Sequence, residues 1–402
     1  YGHEYAMHFP HHRWPAAPDR KLSPLHGRLQ AAGAVFGDYN GWERANWFAK
    51  PGDDTSEEAT HTWARSGPWA PRVQEECEAV RDHCGILAIS GFTRLKVEGP
   101  GARDYVDSLT ASRLPGEGRV GLCYFPDGRG RILTEMTAMV HGPDDVGLIT
   151  AAVAQWHDAE LLWRQAPEGI TVTDHSDAVE CLLVTGPKAR EILGPLTDHD
   201  LTKPWLSASF EGQVAGRPCA LLRVSFAGEL GWEIHCATED APAIWDAVTE
   251  AGAKPFGMFA LNALRLEKGY RAWKGDLSTD YTLLEGGLDR FIDWSKEFPG
   301  KAALSAEKQQ GSVKGCVSLQ IDAGECDAPY MATLWKGDEV VGEVTSGDWG
   351  HRVGGSVALA MLRSDLTAPG SEIEVDIFGT RCPARVHPVG GLWDPRNERI
   401  RA

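Results

Sequence analysis

The sequence has no C-x-x-C pair, no Walker A stretch, no H-E-x-x-H and no G-x-S-x-G. These absences exclude a zinc ribbon or thioredoxin-type redox centre, a P-loop phosphate cradle, a zincin helix and a serine-hydrolase elbow. No apolar run approaches the ~18 residues that a membrane-crossing helix needs, so no membrane partner is expected. Positive charge is also in short supply. Forty Lys and Arg stand against 57 Asp and Glu, for a net charge of −17, and the cations are scattered. A uniformly basic face for nucleic acid is therefore not expected. The nine cysteines, spread from Cys77 to Cys382, are odd in number and irregular in spacing. That pattern argues against a disulfide framework and for reduced, mostly buried thiols. No signal peptide opens the chain, and a cytoplasmic location is the expectation. The chain begins Tyr1-Gly2-His3-Glu4 without a methionine, which reads as a cut edge with sequence preceding it.

What is present is a globular composition, 42% hydrophobic and 24% charged, long enough for two or three domains. Residues 1–60 read as an extended, His- and Pro-rich lead-in with one short helix. His3, His8, His11 and His12 lack a Cys or paired carboxylate at metal-ligand spacing, and no metal site is expected there. From about Thr60 the pattern firms. "APRVQEECEAVRDHCG" (70–85) places Val73, Cys77, Val80 and Cys84 on one helical face. "VGLCYFPDGRGRILTEMTAMVHG" reads as a hairpin, and "VECLLVTGP" with "KAREILGPL" as strand, turn and helix. Hairpins with interleaved helices indicate an α+β fold. Beyond Gly311, short strands separated by turns every 8–12 residues indicate a small all-β barrel or sandwich. The expected division is 1–60 lead-in, 61–310 core and 311–402 C-terminal β domain.

The "GEGRVG" stretch at 116–121 matches G-x-G-x-x-G, but a helix and Pro115 precede it and a strand follows, so its glycines serve a turn. His157 and Glu160, an i,i+3 pair, read as surface or packing residues. "RVSFAGELGWEIH" (223–235) reads as strand, turn and strand, with Glu229 solvated between Gly228 and Gly231 and Glu233 inside the second strand. "LRLEKGYRAWKGDLS" (264–278) runs from a helix into a loop crowded with Tyr270, Arg271, Trp273, Lys274 and Asp276. Such a loop can stack on a planar ligand and bind its charged edges.

Together with "LEGGL", "PGKAAL" and "GEVTSGDWGHRVG", these stretches resemble the glycine-cleavage T-protein (aminomethyltransferase) family. They are most similar to its branch forming the folate-binding C-terminal half of dimethylglycine and sarcosine dehydrogenases and dimethylglycine oxidase. The resemblance covers nearly the whole chain. It implies a three-part cloverleaf around a central funnel for tetrahydrofolate, and one-carbon transfer giving 5,10-methylene-tetrahydrofolate. FAD is implied only for an upstream flavin domain or subunit, and the remaining partner is a small-molecule methyl donor. Within this resemblance Glu233 accepts hydrogen bonds from the pterin's two-donor edge and Phe226, where the family usually has Tyr, stacks on the ring. Tyr124, Tyr270, Arg271 and Trp273 are further candidate contacts, with Trp349 and His351 at the mouth. Two departures stand out. Ala88 occupies the position at which the resemblance leads one to expect a catalytic Asp, and Leu261 replaces a T-protein Arg. Three readings follow from Ala88: an engineered Asp-to-Ala change, different chemistry, or a binding module without activity. A stand-alone enzyme moving a methyl group from a sulfonium, ammonium or methoxy donor is the rival within the same fold.

Overall fold

The computed structural model describes residues 9–11 and 19–402; His3, His8 and His12 lie outside the described residues. Two large sheets, a two-stranded hairpin and a barrel make up the α+β architecture. The first sheet has five antiparallel strands, in order Val120–Pro126, Ile132–Gly142, Asp145–Thr150, Thr93–Glu98 and Thr171–Asp174. Along Ile132–Gly142 burial alternates residue by residue, as befits an antiparallel strand with one face on a core.

The second sheet runs Ala208–Ser209, Arg217–Leu222, Gly231–Ala237, Val179–Thr185, Gly85–Ala88 and Lys254–Pro255, with Gln213–Val214 paired beside Arg217–Leu222. Here register decides which side chains share a face. Glu233 lies opposite Leu183 and Leu222, and His235 opposite Cys181 and Ala220, so these side chains share one face. Trp232, Ile234 and Cys236 take the other face and join a core cluster with Leu182, Val184 and Ala88.

The C-terminal strands close into a six-stranded barrel: Lys314–Ile321, Gly355–Arg363, Glu339–Gly350, Thr333–Lys336, Glu372–Ile377 and Thr380–His387, the last returning to the first. Closure leaves no sheet edge exposed.

Three expectations change. The lead-in is not merely extended: after helix His26–Ala31, strands Ala34–Tyr39 and Trp42–Phe48 form a hairpin, and Leu25, Leu29, Phe36 and Phe48 enter the same cluster as Ile234. Residues 223–226 are not a strand. The strand before Gly231–Ala237 is Arg217–Leu222, and 223–230 is a loop. Glu229 is not solvated but 1% exposed. It accepts from Arg352 at 2.7 Å, Trp393 Nε1 at 3.0 Å and Arg399. Arg352 also holds Glu267 of helix Met258–Glu267, and Lys268 pairs with Asp394 at 3.0 Å. Barrel and C-terminal tail are thus clamped onto the loop that leads to Glu233.

Candidate functional site

Glu233 keeps a 13% exposed carboxylate on a sheet face that is otherwise buried. Its Oε2 lies 3.0 Å from His235 Nε2. Burial, helped by the charge of Arg94, pushes the His235 imidazole down to about 4. His235 is therefore neutral near pH 7, and a carboxylate can only accept, so Nε2 carries the proton and donates it. This bond fixes the carboxylate and leaves Oε1 as an acceptor. Cys181 completes the immediate surroundings: ligand atoms of Cys181, Glu233 and His235 lie within 4.8 Å of one another. Burial and the nearby Glu233 raise the Cys181 thiol well above its ordinary range. No spacing along the chain announces this trio, which cross-strand register assembles.

Phe226, in the loop before the strand, stacks on Tyr270 with centroids 5.8 Å apart and planes at 17°. Tyr270 follows the helix stop at Gly269 (φ 69°), where a Cβ would meet the Gly390 nitrogen at 2.2 Å. Only glycine fits that crossing. The loop is held by Asp276, fully buried, which takes Arg265 at 2.6 Å, Thr345 Oγ1 at 2.6 Å and the Ala272 N–H at 2.8 Å.

A second group centres on Glu135, which sequence reading passed over. Tyr124 and Glu135 are cross-strand partners. Burial raises the Glu135 carboxyl, while the neighbouring Tyr124 and the Arg271 charge pull it back. Burial pushes Tyr124 far up, so it remains a phenol. Arg271 reaches Cys316, and its Nε has no acceptor. Gly287 (φ 67°) gives it room, since a Cβ there would stand 2.8 Å from Arg271 Nη2. Glu135 still retains accessible surface. An acid deep in the fold, raised in pKa yet reachable, is suited to proton transfer.

The remaining candidates lie elsewhere. Ala88 is 3% exposed and packs with Leu182, Val184 and Ile234, on the opposite side of the sheet from Glu233. An acid at position 88 would point into that apolar cluster. Trp273 packs near Tyr124 and Leu277, 6.5 Å from His157. His157 itself pairs with Asp158 at 2.8 Å rather than with Glu160. Trp349 lies under Arg65, with the guanidinium carbon 4.0 Å from the ring centroid, and lines an open groove of about 810 Å³ along the barrel. Neither Glu233, Phe226 nor Glu135 lines that groove, so its size does not make it the reaction site. Burial pushes His351 down to about 4, beside Asp327 and Arg65. Among the described residues no hydrogen bond or ring contact joins Trp349 or His351 to Glu233. His11 lies against Trp69 and Phe259, at 4.2 Å from each.

Comparison with known proteins agrees with this architecture. The family model described as the GCVT N-terminal domain matches residues 25–296, and the glycine cleavage T-protein C-terminal barrel domain matches 314–389. Human mitochondrial dimethylglycine dehydrogenase is 31% identical over 414 residues, covering all of this chain and 47% of that protein. The 4-methylaminobutanoate oxidase (formaldehyde-forming) of Paenarthrobacter nicotinovorans is 31% identical, covering all of this chain and 49% of that protein. The chain thus spans about half the length of these relatives. The aminomethyltransferase of Moorella thermoacetica is 31% identical, covering 92% of this chain and 96% of that protein. The structure of glycine cleavage system aminomethyltransferase T from Bartonella henselae superposes with a TM-score of 0.80 at 23% identity, over 92% of this chain and 97% of that one, which establishes the fold. No helix among the described residues is long and apolar enough to cross a membrane.

Proposed function

This chain belongs to the glycine cleavage T-protein family, and we propose that it transfers a one-carbon unit from an N-methyl amine to tetrahydrofolate, yielding 5,10-methylene-tetrahydrofolate. The observation that carries this reading is Glu233, a fixed carboxylate with Oε1 and the second lone pair of Oε2 still open, near the stacked Phe226–Tyr270 pair. A planar heterocycle with an N–H beside an amino group fits such a site: two parallel donors meet one carboxylate, and an ionised acceptor makes both bonds strong. Glu233 would hold that edge of the folate, and Phe226 with Tyr270 would supply aromatic surface for its ring. Bound tetrahydrofolate supplies the nitrogen nucleophile that takes up the carbon. The proton work falls to Glu135, whose carboxyl burial raises above its ordinary value, and which stands opposite Tyr124 and feels the charge of Arg271. We assign that role to Glu135 rather than to position 88. Oxidation of the amine belongs to a flavin domain or subunit outside this stretch. The two relatives named as a dehydrogenase and an oxidase, each about twice as long as this chain, support that division.

Titration with 5-formyl-tetrahydrofolate, a stable reduced folate, tests the reading through quenching of tryptophan fluorescence. Glu233→Gln keeps the shape but turns one acceptor into a donor. Loss of a charge-assisted hydrogen bond predicts about tenfold to hundredfold weaker binding. Equal affinity for both proteins would remove Glu233, and the reading with it.

A further inference from the structure

All nine cysteines are free, yet two of them face each other in the second sheet. Cys219 of strand Arg217–Leu222 pairs in register with Cys236 of strand Gly231–Ala237. The backbone identifies the kind of pair. The Cys219 N–H donates to the Gly212 carbonyl at 3.1 Å, and the Cys219 carbonyl lies 3.2 Å from His199 Nε2. Both groups therefore point away from Gly231–Ala237. That makes the two cysteines a non-hydrogen-bonded pair, whose Cα atoms approach to about 4.5 Å. A disulfide spans Cα separations of roughly 4.4–6.8 Å. The side chains also share a face, since both join the apolar cluster of Leu221, Trp232 and Ile234.

Cys219 has a neighbour suited to thiol chemistry. His199 Nε2 lies 3.7 Å from its Sγ. A carbonyl only accepts, so Nε2 carries the proton and faces both the Cys219 oxygen and the sulfur with it. A donor so placed favours the thiolate. Gly212 (φ 146°) makes room for the ring, because a Cβ there would stand 2.5 Å from His199 Cε1. Cys219 is 7% exposed, against 0 or 1% for Cys77, Cys84, Cys123 and Cys181, and 2% for Cys236. Access thus favours Cys219 over its partner.

We propose that Cys219 and Cys236 form a peroxide-sensitive dithiol that closes into a reversible cross-strand disulfide, with Cys219, beside His199, attacked first. The Cys219 thiolate attacks one peroxide oxygen. The S–O bond forms, the O–O bond breaks, and the departing hydroxide takes up the thiol's proton as water. Cys219 is now a sulfenic acid, oxidised by the two electrons that the peroxide gained. The Cys236 thiolate then attacks that sulfur. The S–S bond forms, the S–O bond breaks, and hydroxide leaves with the second proton as water. Burial pushes Cys219 up to about 11 and Cys236 up to about 12, so both rest as thiols and the first step is slow near neutrality. The closed bond ties together the two ends of segment 220–235, which holds Phe226, Glu229 and Glu233. The assignment does not depend on the proposed one-carbon function.

Peptide mass spectrometry tests it. The reduced chain is treated with hydrogen peroxide, unfolded, alkylated and digested. A Cys219–Cys236 cross-link lighter by two hydrogens is expected, and dithiothreitol should reverse it. Its formation should quicken about tenfold with each pH unit from 7 to 9, following the thiolate fraction of a thiol that titrates higher still. Cys236→Ser should stop at a Cys219 sulfenic acid that dimedone captures, while Cys219→Ser should give none at position 236. His199→Phe keeps the ring but removes its N–H, and should slow the cross-link about tenfold. Both cysteines recovered alkylated from peroxide-treated wild type, or Cys219 joined to another cysteine, overturns the pair. A rate that levels off by pH 8, or one unchanged in His199→Phe, overturns the assigned role of His199 and Cys219 in the first step.

Discussion

Replacing Arg352 with Met is the perturbation whose consequences are most fully determined. The side chains of Arg352, Glu229 and Glu267 are 1%, 1% and 0% exposed. The guanidinium bonds both carboxylates, donates to the carbonyls of Ala227 at 3.0 Å and Leu264 at 2.5 Å, and lies 4.9 Å from the Trp393 ring centroid. In the variant Glu229 keeps Trp393 and Arg399. Glu267 keeps only the backbone N–H groups of residues 352 and 353. One buried carboxylate therefore loses its counter-ion, which costs about 3–5 kcal/mol and should lower the thermal midpoint by roughly 5 °C. The deficit depends on pH. Burial already raises the Glu267 carboxyl, and Arg352 is what holds it down. Without Arg352 its folded pKa rises further above the unfolded value, so the folded state binds more protons than the unfolded one. The stability lost relative to wild type then grows as pH climbs from the raised folded pKa of the wild type to the still higher one of the variant, and levels off above it. Thermal unfolding of both proteins between pH 5 and 8, followed by tryptophan fluorescence, measures this. A deficit that is absent, or that grows toward low pH, would refute the reasoning.

Three further predictions concern the site. Ala88→Asp should cost about 3 kcal/mol or more at pH 7, because it buries a carboxylate among Leu182, Val184 and Ile234, and should add no one-carbon transfer; a stable variant with higher turnover would place position 88 in the site after all. Glu135→Gln should leave 5-formyl-tetrahydrofolate affinity within about twofold while slowing product formation by ~10²–10⁴-fold, and an unchanged rate would dismiss Glu135 as the proton carrier. Gly287→Ala pushes against Arg271 Nη2. As Arg271 lowers the Glu135 carboxyl, displacing it should move the limb of the pH–rate profile that reports Glu135 to higher pH, and a shift to lower pH would contradict the assigned geometry.

Much of the architecture was legible because it is local. The hairpin of Val120–Pro126 with Ile132–Gly142, the helix Ala70–Asp82 and the six C-terminal strands all follow from periodicity and turn chemistry. The hairpin within the lead-in had a signal too: Asn40 and Gly41, at φ 58° and 84°, join Tyr39 to Trp42 as a two-residue turn. Residues 223–226 misled because they alternate like a strand. In the structure Arg223 turns to the C-terminal carbonyl of Ala402 at 2.6 Å, and the continuous apolar run of Cys219–Leu222 takes the strand instead. Glu229 had no local cue at all, since its partners Arg352 and Arg399 lie 123 and 170 residues away. Glu233 entered as a candidate through resemblance alone, whereas the pairing of Glu135 opposite Tyr124 required cross-strand register.

The most direct measurement is a crystal structure of this chain with 5-formyl-tetrahydrofolate bound. The account predicts the pterin's paired donors within about 2.7–3.2 Å of the Glu233 carboxylate, the ring against Phe226 or Tyr270, and Glu135 facing the reactive nitrogens. A folate seated in the barrel groove beside Trp349, with Glu233 bonded only to His235, would contradict it.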